Sequence, residues 1–423
     1  MESATATAIG VLVALLVLVV LTATGKPRKI SGSATAVVGF GYGVLMLASL
    51  TGAGLDLARA VVVLMLVAAA YPAAVVARRM DLALSGHIRA LLSVIVSAAL
   101  LSLLSHTLSL IGWVYVAAAT IALAASAGAI AVLGGDGGTQ RVNKWTVWVA
   151  LVPSWLLAAL FFFQFPGVLF NPTLPVSDLP VGLFVAMAVV VVVLALADPL
   201  LRHRIGGTEA NFPVGGMVLA AVLMAGIMLA ALLLFGGSLF VPSVSIFMIF
   251  TYVPAVGPVL LALATFIVIT VVPGYLIAAA KDLRGTADGS GGKLTDGYAT
   301  DGLAGTIVAV TVAAAGLALL VSAPTVLFVL AGVLAAGAVG ASIPNAVPGR
   351  QTTASVIGVL AGLGVASIWG TYEVFSLSWP TVIAAVVALV IASVVSRVSI
   401  GNERDPKGSS PSIAAGTGPF HPD

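Results

Sequence analysis

The chain is a succession of apolar stretches, each about 20 residues long, that carry almost no charge inside them. A helix of roughly 17–25 such residues can cross the hydrocarbon core of a bilayer. The stretches fall at about 5–24, 33–55, 58–77, 89–106, 109–133, 146–165, 180–197, 214–236, 256–280, 304–322, 325–343, 353–370 and 380–397, which makes thirteen spans. Hydrocarbon offers no water to pair a backbone N–H or C=O, so spans of this kind fold as helices. With 61% hydrophobic residues, 8% charged residues and a mean hydropathy of +1.20, the 423-residue chain has more apolar surface than a water-soluble core can bury. The expectation is an all-α polytopic protein of the cell membrane, with the lipid bilayer as its first partner.

Charge placement sets the expected orientation. With the N-terminus outside, every Lys and Arg except Arg59 lies in or beside an inner segment: 25–32, 78–88, 134–145, 198–213, 281–303, 344–352 or the tail. Cytoplasmic loops carry this excess of basic residues, so the C-terminus is expected inside. The basic cluster Lys26, Arg28 and Lys29 follows the first apolar run instead of preceding it, which describes a transmembrane helix and not a secretory signal. Trp113, Tyr115, Trp145, Trp148, Trp369, Tyr372 and Trp379 sit at span ends, the level where aromatic rings anchor. Segment 281–303 is Gly- and Asp-rich and is expected to be mobile. The tail 401–423 reads as a disordered cytoplasmic segment. Segment 238–255 is too short and too Pro-broken to span, and reads as interfacial or re-entrant.

Much chemistry is excluded. The chain has no cysteine, which removes disulfides, thiolate catalysis and Cys-bound metals. His87, His106, His203 and His421 share no metal-binding spacing, and there is no HExxH motif. No transition-metal site is expected. The outer acids Glu2, Asp56, Asp178 and Glu373 each lie in a different segment, which argues against a metal-dependent transferase acting on lipid-linked sugars. Asp56 and Arg59, three apart at the start of the third span, read as a structural pair at the interface. His106 closes the fourth span. No catalytic residue emerges and no cofactor is needed, and the net charge of +3 does not by itself point to nucleic acid. The reading is not an enzyme.

What remains is backbone, hydroxyl and glycine, which suffice to hold Na+. The second span contains VVGFGYGVLML, with Gly39, Gly41 and Gly43 spaced by two. These glycines either ease local unwinding that frees carbonyls or let helices approach closely. In the ninth span Thr270 lies mid-way, and Pro273-Gly274 follows three residues later. Thr270 is either an ion ligand or a hydroxyl bonded back to its own helix. Pro273-Gly274 reads as a helix interruption that helps free a carbonyl.

Several stretches, in order, resemble the sodium:solute symporter family. The clearest runs from LLVSAPTVLF to SIWGTY, through Pro324, Pro344, Arg350-Gln351-Thr352, Gly358, Gly362 and Trp369. GGDGGTQRVNKWTVW is similar to a Gly-Gly…Trp-Thr-Asp turn through Gly134, Gly135, Trp145 and Thr146, with Val147 where the family has Asp. DPLLRHRIGG is similar to the basic loop after the seventh span through Pro199 and Arg204, and VPAVGPVLLALATFIVITVVPGYLIAAAKDL to the ninth-span block. The resemblance implies two inverted five-helix repeats, 33–165 (spans 2–6) and 166–343 (spans 7–11). To these it adds a first helix with its basic loop at 1–32 and two last helices within 344–400. It also implies Na+ as coupling ion, bound between the second and ninth spans. The carbonyls would come from near Gly39 and Tyr42 and from Ile267, and one hydroxyl from Thr270. The second hydroxyl position is Val271, so the site is degenerate. The seventh span, repeat partner of the second, shows no mid-span Gly, Pro or polar residue. The expected function is transport of a small solute by alternating access, as Na+-coupled symport with a degenerate Na+ site. The alternative is a non-transporting protein of the same fold, acting as sensor or membrane-complex subunit. A membrane transferase ranks third. Substrate and oligomeric state are not legible.

Overall fold

The computed structural model describes residues 32–50, 55–79, 82, 84–110, 115–167, 181–201, 214–234, 238–239, 268–287, 301–343, 349–370 and 374–398. Their helices are α1 (Gly32–Ser49), α2 (Leu57–Arg79), α3 (Gly86–Leu110), α4 (Val116–Gln164), α5 (Val181–Ala197), α6 (Val214–Leu234), α7 (Val271–Ala287), α8 (Asp301–Leu320), α9 (Pro324–Ala341), α10 (Gln351–Ala366) and α11 (Trp379–Arg397). Each apolar stretch from the second to the thirteenth carries a helix, while the first lies outside the described residues. Among the described residues, eight helical stretches are long and apolar enough to cross a membrane, two of them within α4; three shorter apolar helical stretches lie in α1, α5 and α6. Two-residue strands, β1 (Leu55–Asp56) and β2 (Ser238–Leu239), pair antiparallel and join the start of α2 to the chain beyond α6.

α4 corrects one expectation. The inner segment 134–145 is not a loop, because helix resumes immediately after a single non-helical residue, Gly135, at φ 51 and ψ −159. An unbroken helix of 49 residues would reach about 75 Å, more than twice the bilayer core, so it must turn. Only glycine takes this backbone conformation without a Cβ penalty. Beyond the turn, Thr139, Val142, Asn143 and Thr146 recur at helical spacing and are buried, so the segment packs one face into the bundle. The Gly/Asp-rich segment is likewise shorter than expected: α7 runs to Ala287 and α8 begins at Asp301.

Side-chain exposure distinguishes lipid-facing helices from central ones. α11 presents Val386, Val390 and Val394 outward, α4 Val152, Leu156 and Leu160, and α8 Val308 and Val312, each set spaced by four. Water would not tolerate such stripes and lipid does. In contrast, α1 is buried from 36 onward, α7 through 280, and α9 over nearly its whole length. A helix buried all round is the centre of a membrane bundle.

The packing is an exchange. α1 lies against α6 while α2 lies against α5, and α3 lies against α7. The pair α10 and α11 docks through small residues. A Cβ on Gly358 or Gly362 would collide with the carbonyl oxygens of Ala388 and Ala384, and one on Gly340 of α9 with that of Leu389. Without a hydrophobic drive between helices in lipid, close backbone approach of this kind supplies the van der Waals energy.

Candidate functional site

Pro273 shapes the start of α7. It has no N–H to return to the Ile269 carbonyl, and its ring crowds that oxygen. Residues 268–269 are helical, Thr270 is a turn, and α7 begins at Val271. Thr270, 2% exposed, therefore sits at an interruption. Its oxygens face Asn143 of α4. In the amide orientation that satisfies donors and acceptors, Asn143 Nδ2 donates to Thr270 Oγ1 at 3.3 Å, to the Thr270 carbonyl at 3.1 Å and to the Thr139 carbonyl at 3.3 Å. A neutral amide thus contacts three oxygens that a cation could otherwise share. Next along, a Cβ on Gly41 of α1 would lie 3.7 Å from both Val271 methyl groups. Val271, where the resemblance implies a second hydroxyl, packs its apolar branches against α1.

A buried polar cluster lies one to two turns along. α5 ends at Ala197, Asp198 is non-helical, and helix resumes at Pro199. Asp198 caps the new turn: its Oδ1 accepts the Leu200 N–H at 2.7 Å and the Leu201 N–H at 2.9 Å. Aspartate as N-cap and proline at the first helical position are the favoured pairing. Oδ2 accepts hydroxyls from two other helices, Tyr42 on α1 and Tyr275 on α7, the latter at 2.6 Å. The residue is 1% exposed. A buried carboxylate costs several kcal/mol unless it is paired or hydrogen-bonded. Here four donors and a helix N-terminus meet that need. Beyond it, Asp282 of α7, its side chain 2% exposed, pairs with Arg89 of α3 at 2.9 Å.

The residues singled out by sequence divide clearly. Tyr42, Gly41, Thr270, Pro273 and Gly274 lie on the facing helices α1 and α7, whereas Ile267 lies outside the described residues. The helix interruption expected at Gly41 and Gly43 is absent: α1 runs unbroken from Gly32 to Ser49 through Gly39, Gly41 and Gly43. Gly43 serves close approach, since a Cβ there would sit 2.9 Å from Met224 Cε of α6. Pro273 and Gly274 lie inside α7, and the break falls just ahead of them at Thr270. Tyr42 donates its hydroxyl to Asp198. Asp198 and Asn143 escaped the sequence reading. The signal for Asp198 was the Asp-Pro step at the edge of an apolar run, an N-cap followed by an N1 proline. Asn143 was hidden in a segment taken for a loop. His106 bonds the Ser102 carbonyl of its own helix at 2.8 Å. The Asp56 side chain lies outside the described residues. Among the described residues no group of three or more His, Asp or Glu could hold a metal.

No family model matches the chain, and no curated protein matches it in sequence. Among solved structures it is similar to a Na+-coupled sialic acid symporter in a substrate-bound, outward-open state, with a TM-score of 0.56 at 10% identity. The match covers 92% of this chain and 97% of that one. At that identity the likeness carries the fold: the chain is an all-α, multi-pass membrane bundle with the fold of a sodium-coupled symporter.

Proposed function

We propose that this chain is a membrane transporter of a small solute, working by alternating access, whose Na+ site is degenerate. One observation carries the reading. In a symporter fold, α1, α7 and the interrupted end of α5 converge on a single buried polar cluster around Asp198. Transporters place substrate and ion sites where membrane helices are interrupted, near the interface of their repeats. Here the interruptions fall at Thr270 and Asp198. The degenerate site follows from its surroundings: the Asn143 amide contacts the Thr270 oxygens and Val271 packs on Gly41. With an outside N-terminus, the Arg89–Asp282 pair lies toward the cytoplasm. The mostly apolar interior suits an uncharged or zwitterionic solute.

The test is uptake of a panel of neutral and zwitterionic solutes into proteoliposomes, with the outside Na+ replaced by K+. Accumulation that is indifferent to the cation is expected. Accumulation that collapses in K+, and again in Thr270→Val, would show a working Na+ site and overturn the degenerate one. The same closure by Asn143 and Val271 favours a second reading, a non-transporting sensor or membrane-complex subunit. Failure to move any solute of the panel would support it.

A further inference from the structure

Asp198 is a buried acid outside the expected Na+ site, and it joins three helices. Its Oδ1 is taken by the cap of its own chain, while Oδ2 holds α1 through Tyr42 and α7 through Tyr275. A second observation lies on α3, which packs along α7. On α3, Arg89, Ser93, Ser97 and Leu100 recur every three or four residues, so they share one face. That face lies along α7: Arg89 pairs with Asp282 at one end, and at the other the Leu100 methyl and Val271 both border Gly41. Between these fixed points α7 runs from Asp282 through Tyr275 to Val271. Ser93 and Ser97 are fully buried there, and their hydroxyls have no hydrogen-bond partner among the described residues. Two orphaned hydroxyls in one stripe are a polar track, since native interiors rarely leave such groups unpaired.

We infer that Asp198 is a proton-binding site, the coupling-ion site of this chain, reached from the Arg89–Asp282 end along Ser93 and Ser97. The inference rests on the transporter reading. As a carboxylate, Asp198 accepts from both tyrosines and holds α1, α5 and α7 together. A proton arriving from solvent forms an O–H bond at Oδ2, which then donates where it had accepted. The tyrosine that takes this proton now accepts, so its own O–H loses the carboxylate as partner, while the other tyrosine keeps a weaker bond to a neutral acid, and the α1–α7 contact loosens. Loss of the proton to the other side restores the clamp. Among the described residues, Asp282 is the other acid on the helices packed around this point. α5 and α9 carry no titratable residue, and α1 carries only Tyr42. α2 carries Arg59, Tyr71, Arg78 and Arg79, and α11 carries Arg397 as its last residue. α7 carries Tyr275 and, beyond it, Lys281, Asp282 and Arg284.

The absence of cysteine makes Val271→Cys a single reporter of the α1–α7 interface. The full chain is reconstituted in nanodiscs, and its alkylation by N-ethylmaleimide is divided by that of the unfolded chain at the same pH. Protected thiol at pH 8 is expected to react about tenfold faster, or more, at pH 5. Exchange of Na+ for K+ changes nothing. Asp198→Asn in this background reacts fast at both pH values. Should that variant fail to fold, Tyr275→Phe keeps the carboxylate and must speed alkylation at pH 8. A rate that ignores pH but rises with Na+ overturns the proton site and leaves a transporter. A thiol that stays protected under every pH and cation removes the proton site and the transporter reading together.

Discussion

Tyr42 and Tyr275 share one carboxylate oxygen, and a double-mutant cycle reads that sharing directly. Tyr275→Phe keeps the ring and removes a hydroxyl 2.6 Å from Asp198 Oδ2, within the range of strong O–H···O⁻ bonds. A hydrogen bond to a charged group contributes about 1.5–3 kcal/mol, so each single Tyr→Phe change should destabilise by that much. After either change, Oδ2 still accepts from the other tyrosine. After both, it stays buried without either, which adds about 1–3 kcal/mol for a poorly satisfied acceptor. The double variant should therefore lose more than the sum of the singles. Reversible unfolding in mixed micelles, titrated with SDS and followed by tryptophan fluorescence, measures all four corners of the cycle. Additivity within about 0.5 kcal/mol would mean that the hydroxyls do not meet on one carboxylate, and the account of the site would be wrong.

Further outcomes are expected. Arg89→Ala removes the cation beside the buried Asp282 and should cost about 3 kcal/mol in the same assay, at the lower end for a broken buried pair because Arg89 is 29% exposed; Asp282→Asn on top should recover part of it. Gly362→Val drives a side chain into the Ala384 carbonyl, a backbone group that cannot rotate away, and should cost about 1–3 kcal/mol. Gly364→Ala, where a Cβ meets nothing within 4 Å, should be neutral or slightly stabilising by melting temperature. Wild type should melt at one temperature in NaCl and KCl. Val271→Ser combined with Asn143→Ala supplies a hydroxyl and frees the Thr270 oxygens, so Na+ at ten times its Kd should stabilise that variant by about 1.4 kcal/mol.

How much of this was legible in the sequence depends on the physics behind each feature. Helix positions follow from apolar length, a signal that every residue of a span contributes to. The α5 boundaries expected at 180–197 therefore differ by one residue from Val181–Ala197. The helical stretch at 136–145 was not legible, because its Gly, Arg and Lys content looks like a loop while the helix is held by a buried face that only the fold creates. Asn143 was hidden with it. The exchange of partners among α1, α2, α5 and α6 is a long-range property that no local pattern carries.

That α5 breaks while α1 stays continuous has a definite cause. Three glycines in α1 lower the cost of unwinding, but inside a bundle an unwound turn exposes N–H and C=O groups that nothing replaces. In that setting the helix keeps its own bonds and uses glycine for contact, as Gly43 does against Met224. α5 breaks at Asp198-Pro199 because that step carries its own repair. Pro199 lacks the N–H that would need a partner, and the carboxylate takes the next two, Leu200 and Leu201. The same reasoning applies at Thr270, where Pro273 interrupts the helix and the Asn143 amide takes up the Thr270 carbonyl. Interruption follows the groups able to satisfy the backbone, not the residues that merely loosen it. A break repaired by an acid also places a charge at the meeting point of α1, α5 and α7, and so makes the repair itself the group best placed to respond to an ion.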